Sequence, residues 1–294
     1  MSALYRSGLV ALAGRPNVGK STLANALAGR QVAAVSPRPQ TTRRRITAVV
    51  HGEGWQAVLL DLPGFQRPAD LLTERMQATV DRNLADCDAA LFIVNAAEPI
   101  GGGDRFIAER LRAARLPVLI VVNQVDRADP AAIAAAVERA SALVDFVALH
   151  PVSARTGDGL AALRDDLPLL LSGGPRYFPE GMATDQTDEE LAAEIIREAA
   201  LLRLRQELPH ALAVDVDEIA PARAGVLVRA ALVVETESQK AIVVGRGGAM
   251  IRDIGTAARS ALARLWGVDV HTDVTVKVRR RWRDDEAMLG RLGL

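Results

Sequence analysis

Eight consecutive residues, Gly14-Arg15-Pro16-Asn17-Val18-Gly19-Lys20-Ser21, have the spacing of a phosphate-binding loop. The motif follows an apolar run at 9–13 and opens a helix-like stretch at 20–28. In that setting, backbone N–H groups from about Asn17 to Ser21 turn inward and meet phosphate oxygens. Gly14 and Gly19 let the backbone approach closely. Lys20 brings a point charge to the β and γ phosphates, and Ser21 offers a hydroxyl to Mg²⁺. Val18 and Thr22 complete the expected nucleotide-contacting set.

Three further groups follow in order, each near the end of an apolar run. Asp61-Leu62-Pro63-Gly64 places a carboxylate where Mg²⁺ is held, usually through water, and an N–H at Gly64 within reach of a γ-phosphate. Between this group and the loop lies Pro39-Gln40-Thr41-Thr42-Arg43. A hydroxyl here that ligates Mg²⁺ only while the γ-phosphate is present makes the segment a switch. Thr42 is the expected ligand, beside Ser21 and Asp61, and Thr41 is the alternative. Asn123-Gln124-Val125-Asp126 then supplies a carboxylate that accepts from both N1–H and the 2-amino group of guanine. Adenine lacks that pair of donors. Asn123 is expected to tie this loop to the phosphate loop, and the backbone at Ser153-Ala154 to meet guanine O6.

The elements that must hold these residues are readable from hydrophobic patterning. Compact apolar runs at 9–13, 55–61, 89–95, 118–123 and 146–152 alternate with helix-like stretches at 20–28, 71–85, 104–114, 131–144 and 160–171. That alternation predicts an α/β domain over 1–172, with a mixed, mostly parallel sheet and helices on both faces. The runs at 47–50 and 55–60, split by His51-Gly52-Glu53-Gly54, predict a hairpin. Gly173-Gly174-Pro175 and Phe178-Pro179-Glu180-Gly181 mark a linker over 173–187 that lets two domains change their relation. A helix opens at Thr187-Asp188-Glu189-Glu190 with capping-box spacing. Strand-like runs at 211–218 and 225–235, helices near 239–244 and 249–266, and a strand at 268–278 make an α+β unit over 188–294.

Composition agrees with two domains. The chain has 294 residues, above the size at which one core stops growing. Hydrophobic residues make up 49% but aromatics only 3%, so the cores must be built from Ala, Leu, Val and Ile. Acids and bases balance at 36 each, so total charge selects no partner. The single Cys87 excludes an internal disulfide, suits a reducing compartment, and is expected to be buried in a helix. No leader pattern and no long uncharged apolar run is visible, which leads to a cytoplasmic expectation.

These motifs carry a resemblance. Residues 14–21 (GRPNVGKS), 39–43 (PQTTR) and 61–64 resemble the translation-factor-like small GTPases. With AAEIIRE at 192–198, Glu207-Leu208-Pro209, Val244-Gly245-Arg246-Gly247-Gly248 and Trp282-Arg283-Asp284-Asp285-Glu286, nearly the whole chain is similar to the Era family of bacterial ribosome-assembly GTPases. The resemblance implies GTP hydrolysis to GDP and a C-terminal KH domain of type II. It also implies binding of 16S ribosomal RNA near its 3′ end and a role in maturing the 30S subunit. A nucleotide-binding but poorly hydrolysing RNA-binding factor is the alternative.

Against the family pattern, Leu62 stands where Thr is usual, Gln124 where Lys is usual, and Arg155 where a Lys follows Ser153-Ala154. Gln124 has no charge to replace the lysine, so weaker affinity with guanine selectivity retained is expected. Phe65, a hydrophobic residue as in the rest of the group, cannot orient an attacking water, so slow intrinsic turnover is implied. Asn17 is a candidate K⁺ ligand beside the phosphates. The family's GXXG loop falls on residues 245–248, where glycines let the backbone lie against single-stranded phosphates. Residues 240–283 hold ten Lys or Arg against three Asp, a net +7 in a neutral chain. Lys240, Gly245, Arg246, Gly247, Gly248, Arg252, Arg280 and Arg281 are the expected RNA contacts. Ile242, Val243, Ile251 and Ile254 offer a platform for bases, although core packing is the expected use of most of them. Arg279, Arg280 and Arg281 with Trp282 and Arg283 form either a surface that holds a backbone or stacks a base, or a solvated basic strand end. A peripheral contact with the inner face of the cell membrane and a monomeric state complete the expectations.

Overall fold

The computed structural model describes residues 4–38, 41–64, 69–204 and 208–294. The chain divides into two compact units, one formed by 1–32, 42–66 and 77–185, the other by 33–41, 67–76 and 186–294.

In the first unit the elements run β1 (Arg6–Ala13), α1 (Lys20–Ala28), β2 (Ile46–Gly52), β3 (Trp55–Asp61), α2 (Leu71–Ala85), β4 (Ala89–Asn95), α3 (Gly102–Ala114), β5 (Val118–Asn123), α4 (Pro130–Ser141), β6 (Ala148–Pro151), α5 (Leu160–Asp166) and β7 (Ser172–Gly173). Of α2, residues 71–76 belong to the second unit. The sheet order is β2-β3-β1-β4-β5-β6, with β7 also pairing to β1. β3, β1, β4, β5 and β6 are parallel, whereas the β2–β3 hairpin and β7 are antiparallel. β4 and β5 are buried along their whole length, which is why they read as unbroken apolar runs rather than alternating ones. Phe92, Ile120, Leu60, Val80 and Leu111 fill a core between sheet and helices. Parallel pairing brings the C-terminal ends of β1, β3 and β5 to one edge, where the loops that follow them can meet one ligand.

Residues 173–185, expected as a linker, are bound along the first unit. The wholly buried Gln56 is the principal anchor. Its Oε1 accepts from the Tyr177 and Phe178 N–H groups, each at 3.0 Å, and its Nε2 donates to the Phe178 carbonyl at 2.9 Å. Ser7 Oγ donates to the Pro175 carbonyl at 2.6 Å, and Val49 N–H to the Ala183 carbonyl at 2.8 Å. The free span expected there is therefore much shorter than the composition suggests.

The second unit contains α6 (Asp188–Leu201), α7 (Leu208–Ala211), β8 (Ala213–Pro221), β9 (Val226–Val234), α8 (Glu237–Val244), α9 (Ala249–Trp266), β10 (Val270–Val278) and α10 (Glu286–Arg291). The expected capping box forms: Thr187 Oγ1 accepts from Glu190 N–H at 3.2 Å, and Glu190 Oε2 from Thr187 N–H at 3.1 Å. The sheet order is β10-β9-β8, with β9–β10 parallel and β8–β9 antiparallel. Ile195, Ile196, Leu212, Leu232, Val243, Ile254 and Leu262 form its main core. A second cluster joins Leu72 and Met76 to Ala213, Val233, Trp282 and Leu289.

Two expectations need correction. Trp282 is fully buried and its Nε1 donates to the Ala211 carbonyl at 2.9 Å, so it holds the C-terminal segment down and offers no stacking face. Cys87 is buried, but it lies between α2 and β4 rather than in a helix.

Candidate nucleotide site and RNA-binding surface

The phosphate loop spans the turn from β1 into α1. Asn17 (φ 64°) and Gly19 (φ 96°) adopt left-handed backbone conformations, which curl neighbouring N–H groups toward one point. Gly14 is required by space: a Cβ there would lie 2.5 Å from the Ile93 carbonyl oxygen. Lys20 and Thr22 lie in the first turn of α1. Lys20 Nζ donates to the carbonyls of Gly14 (3.1 Å) and Arg15 (3.2 Å), arching across the loop. Burial pushes its ammonium below the usual lysine range, and the Asp61 carboxylate opposes that shift.

Three oxygens from three segments converge beside Lys20. Ser21 Oγ donates to Asp61 Oδ2 at 2.6 Å, Thr42 Oγ1 donates to the same oxygen at 3.1 Å, and the two hydroxyls are 3.0 Å apart. Asp61 is wholly buried and Thr42 nearly so. Hard oxygen donors in this number suit Mg²⁺, which keeps several of its waters, so the residues fit the ion. Of the two candidate threonines, only Thr42 is in this cluster, because Thr41 Oγ1 donates to the Arg38 carbonyl at 2.7 Å. Leu62 packs in the core of the first unit, 4% exposed, so the apolar residue at this position serves to anchor the segment. A Cβ on Gly64 would stand 3.4 Å from the Pro16 ring, so this strand end lies close to the phosphate loop. Pro39, Gln40 and Phe65 lie outside the described residues, as does Glu207.

The groups expected to read the base are built just beyond the ends of β5 and β6. Asn123, buried, donates from Nδ2 to the Val18 carbonyl at 2.8 Å and accepts at Oδ1 from Ala154 N–H at 3.0 Å. One side chain thus joins three loops. Asp126 Oδ1 accepts from Ser153 Oγ at 2.6 Å, and Oδ2 from the Arg155 guanidinium. The Ser153 hydroxyl is the main cause holding the Asp126 carboxyl below the usual range, with Arg155 assisting and desolvation opposing. Gln124 Nε2 donates to the Asn17 carbonyl at 2.8 Å.

In the second unit, α8 ends at Gly245 (φ 73°), and Gly247 (φ 57°) and Gly248 (φ 78°) continue the turn into α9. These are backbone conformations that other residues adopt at a cost. Arg246 and Arg252 are exposed at this turn, Lys240 is half-buried on α8, and Arg279, Arg280 and Arg281 are exposed just past β10. A groove of about 390 Å³ lies beside the turn. Ile251, Arg252 and Arg259 of α9 form one wall, and His271, Asp273 and Val274 of β10 the other. Sequence reasoning missed the β10 wall. Its signal was the alternation of Val270, Val274, Val276 and Val278 with the polar His271, Asp273, Thr275 and Lys277, the mark of a strand with one open face. Val243 and Ile254 are fully buried and belong to the core, so of the expected platform only Ile251 lines the groove, while Ile242 is 52% exposed outside it. Arg283 pairs with Asp70 (3.1 Å) and Glu235 (3.3 Å) inside the second unit, which removes it from the expected stacking surface.

Fold and site together define a guanine-nucleotide-binding P-loop domain followed by a KH domain. Residues 9–124 match the family model of the 50S ribosome-binding GTPases, and residues 207–283 match the KH domain model. GTPase Era of Mycobacterium tuberculosis is 46% identical over 297 aligned residues, covering 98% of this chain and 99% of that protein. Two solved structures, each with a TM-score of 0.92, 32% identity and 98% coverage of this chain, are similar throughout. One is a variant of Aquifex aeolicus Era bound to GDP·AlF4⁻, of which 99% is covered; the other is Era in complex with MgGDPNP and nucleotides 1506–1542 of 16S ribosomal RNA, of which 98% is covered. This chain belongs to the Era family of GTPases.

Proposed function

We propose that the chain hydrolyses GTP as a switch and that its KH domain holds 16S ribosomal RNA near the 3′ end while the 30S subunit matures. The observation that carries the nucleotide half is the Asp126 carboxylate, fixed by Ser153 on a loop that Asn123 bonds to the phosphate loop. Asp126 accepts from the guanine edge, and the Ala154 backbone meets O6. Lys20 and the N–H groups of 17–21 hold the β and γ phosphates. Ser21 and Thr42 ligate Mg²⁺, with Asp61 behind them, and Gly64 N–H reaches the γ-phosphate. Bound Mg²⁺ supplies charge neutralisation at the phosphate oxygens. Catalysis then rests on positioning and electrostatic stabilisation, and intrinsic turnover is slow.

The RNA half is supported by the solved Era complex with nucleotides 1506–1542 of 16S ribosomal RNA, similar over 98% of this chain. It is supported also by the glycine turn at 245–248 beside the α9–β10 groove. Lys240, Arg246, Arg252, Arg280 and Arg281 hold phosphates, and bases enter the groove. The domain limits in this reading are 1–172 and 188–294, with the connecting segment 173–187 held for most of its length against the first domain. Asn17 is a K⁺ ligand, testable as faster turnover in K⁺ than in Na⁺ buffer. Among the described residues no helix is long and apolar enough to cross a membrane. A cytoplasmic, monomeric chain with at most peripheral membrane contact completes the reading.

Phosphate release from GTP under multiple turnover, with and without an RNA carrying the 16S 3′ end, tests both halves. GTP-specific release that the RNA alters supports the proposal. Release without RNA binding removes the second half, and absence of release removes the first.

A further inference from the structure

Gln124 is held at both ends of its carboxamide. Its Nε2 donates to the Asn17 carbonyl at 2.8 Å, and its Oε1 accepts from Arg127 Nη1 at 2.7 Å. A carbonyl can only accept and a guanidinium can only donate, so the two partners admit a single orientation of the amide. The backbone builds this arrangement. Gln124 is left-handed (φ 66°) and caps the short turn Val125–Arg127, whose Arg127 N–H donates to the Gln124 carbonyl at 3.0 Å. That turn returns Arg127 over Gln124 while sending Asp126 the other way, to Ser153 and Arg155.

We infer that Arg127 is a positioning residue for the nucleotide, and that Gln124 and Arg127 together replace the single lysine usual at position 124. A lysine would carry its charge directly to the phosphate-loop carbonyl. Here the charge sits on Arg127 and acts through the amide. A cation on Oε1 polarises the carboxamide and strengthens Nε2 as a donor. The consequence is a phosphate-loop tip at Asn17 held in its left-handed conformation, and a Gln124 stem kept flat at the edge of the base site. Arg127 touches no phosphate or base in this account; it acts only through Gln124. The inference rests on the guanine-nucleotide reading proposed above and explains how the chain tolerates the missing lysine.

The test is the release rate of fluorescent (methylanthraniloyl) GDP from wild type, Arg127→Ala, Arg127→Lys, Arg127→Gln, Gln124→Lys and the Gln124→Lys/Arg127→Ala double variant. Arg127→Ala and Arg127→Gln should speed release about three- to tenfold, the range for losing one charge-assisted bond near the surface. Arg127→Lys should restore most of the loss. In the Gln124→Lys background, Arg127→Ala should change release less than about twofold, because the cation is then on the lysine. Equal effects of Arg127→Ala in both backgrounds would overturn the inference. So would a wild-type rate for both Arg127→Ala and Arg127→Gln. If the Gln124→Lys protein does not fold, the contrast of Arg127→Lys with Arg127→Gln decides alone. A wild type that binds no GDP refutes the guanine-nucleotide reading itself, an outcome separate from a wild type that binds but ignores Arg127.

Discussion

Asn123 Nδ2 donates to the Val18 carbonyl at 2.8 Å across 105 positions of sequence, joining the loop after β5 to the loop between β1 and α1. The bond is buried; Asn123 ends β5 and Val18 lies in the loop that leads from β1 into α1, so the separation of base and phosphate sites is set by loops anchored on neighbouring parts of one sheet. With Ala154 N–H on its Oδ1 as well, Asn123 serves as the strut of the pocket.

Asp126→Asn should exchange guanine for xanthine. The carboxylate accepts twice, whereas an amide offers one acceptor and one donor, and the donor matches the 2-oxo group of xanthine. GDP affinity should fall about 100-fold or more, because a mismatched buried polar edge is left unpaired. Competition of GDP and XDP against fluorescent GDP measures the exchange, and equal loss for both would reject it.

Arg246→Ala and Arg283→Ala should differ in kind. Arg246 is exposed at the glycine turn, so its loss should weaken RNA binding and lower the slope of log affinity against log salt by about one. Arg283 is engaged with Asp70 and Glu235, so its loss should leave the salt slope unchanged and cost about 1–2 kcal/mol of stability. RNA titrations at several salt concentrations, with urea unfolding alongside, separate the two.

Trp282→Ala should be among the costliest single substitutions in the second unit. The indole is fully buried with Leu72, Met76, Val233 and Leu289, and its N–H is bonded. A loss of about 3–5 kcal/mol is expected, part of it the orphaned Ala211 carbonyl. A change below about 1 kcal/mol in urea unfolding would contradict this burial.

Burial, with Asp88 and Asp86 adding to it, pushes the Cys87 thiol up to about 12 from an ordinary 9.0. Its Sγ donates to the Asn83 carbonyl at 3.1 Å. At pH 8 the thiolate fraction should therefore be about a thousandfold lower in the folded chain than in the unfolded one, and a thiol reagent should react only on unfolding. The sign for stability follows. Between about 9 and about 12 the unfolded state gives up this proton while the folded state keeps it, so stability is lost as pH rises through that window. Removing the thiol by Cys87→Ala should flatten the stability profile above pH 9.

Much of the fold was legible. The buried strands β4 and β5 fall at the expected boundaries because full burial leaves unbroken apolar runs. The meeting of Ser21, Thr42 and Asp61, and the tie from Asn123 to the phosphate loop, were legible because phosphate and guanine chemistry fix both residue type and spacing. What escaped was decided by distant partners. Trp282 stands in a run of arginines and reads locally as surface, yet the cavity that receives it is built by residues 72–76 and 211–233. Residues 173–185 have no periodicity and read as a free linker, yet the single buried amide of Gln56 binds their backbone. Val243 and Ile254, by contrast, were expected mainly as core residues, and packing beneath the sheet bears that out.

The most direct test of the account is displacement of fluorescent GDP from the purified chain in Mg²⁺ by unlabelled GTP and ATP. The account predicts that GTP displaces the probe and ATP at equal concentration does not, since Asp126 accepts from two donors that adenine lacks. Displacement by both nucleotides alike, or no binding of the probe at all, would contradict it.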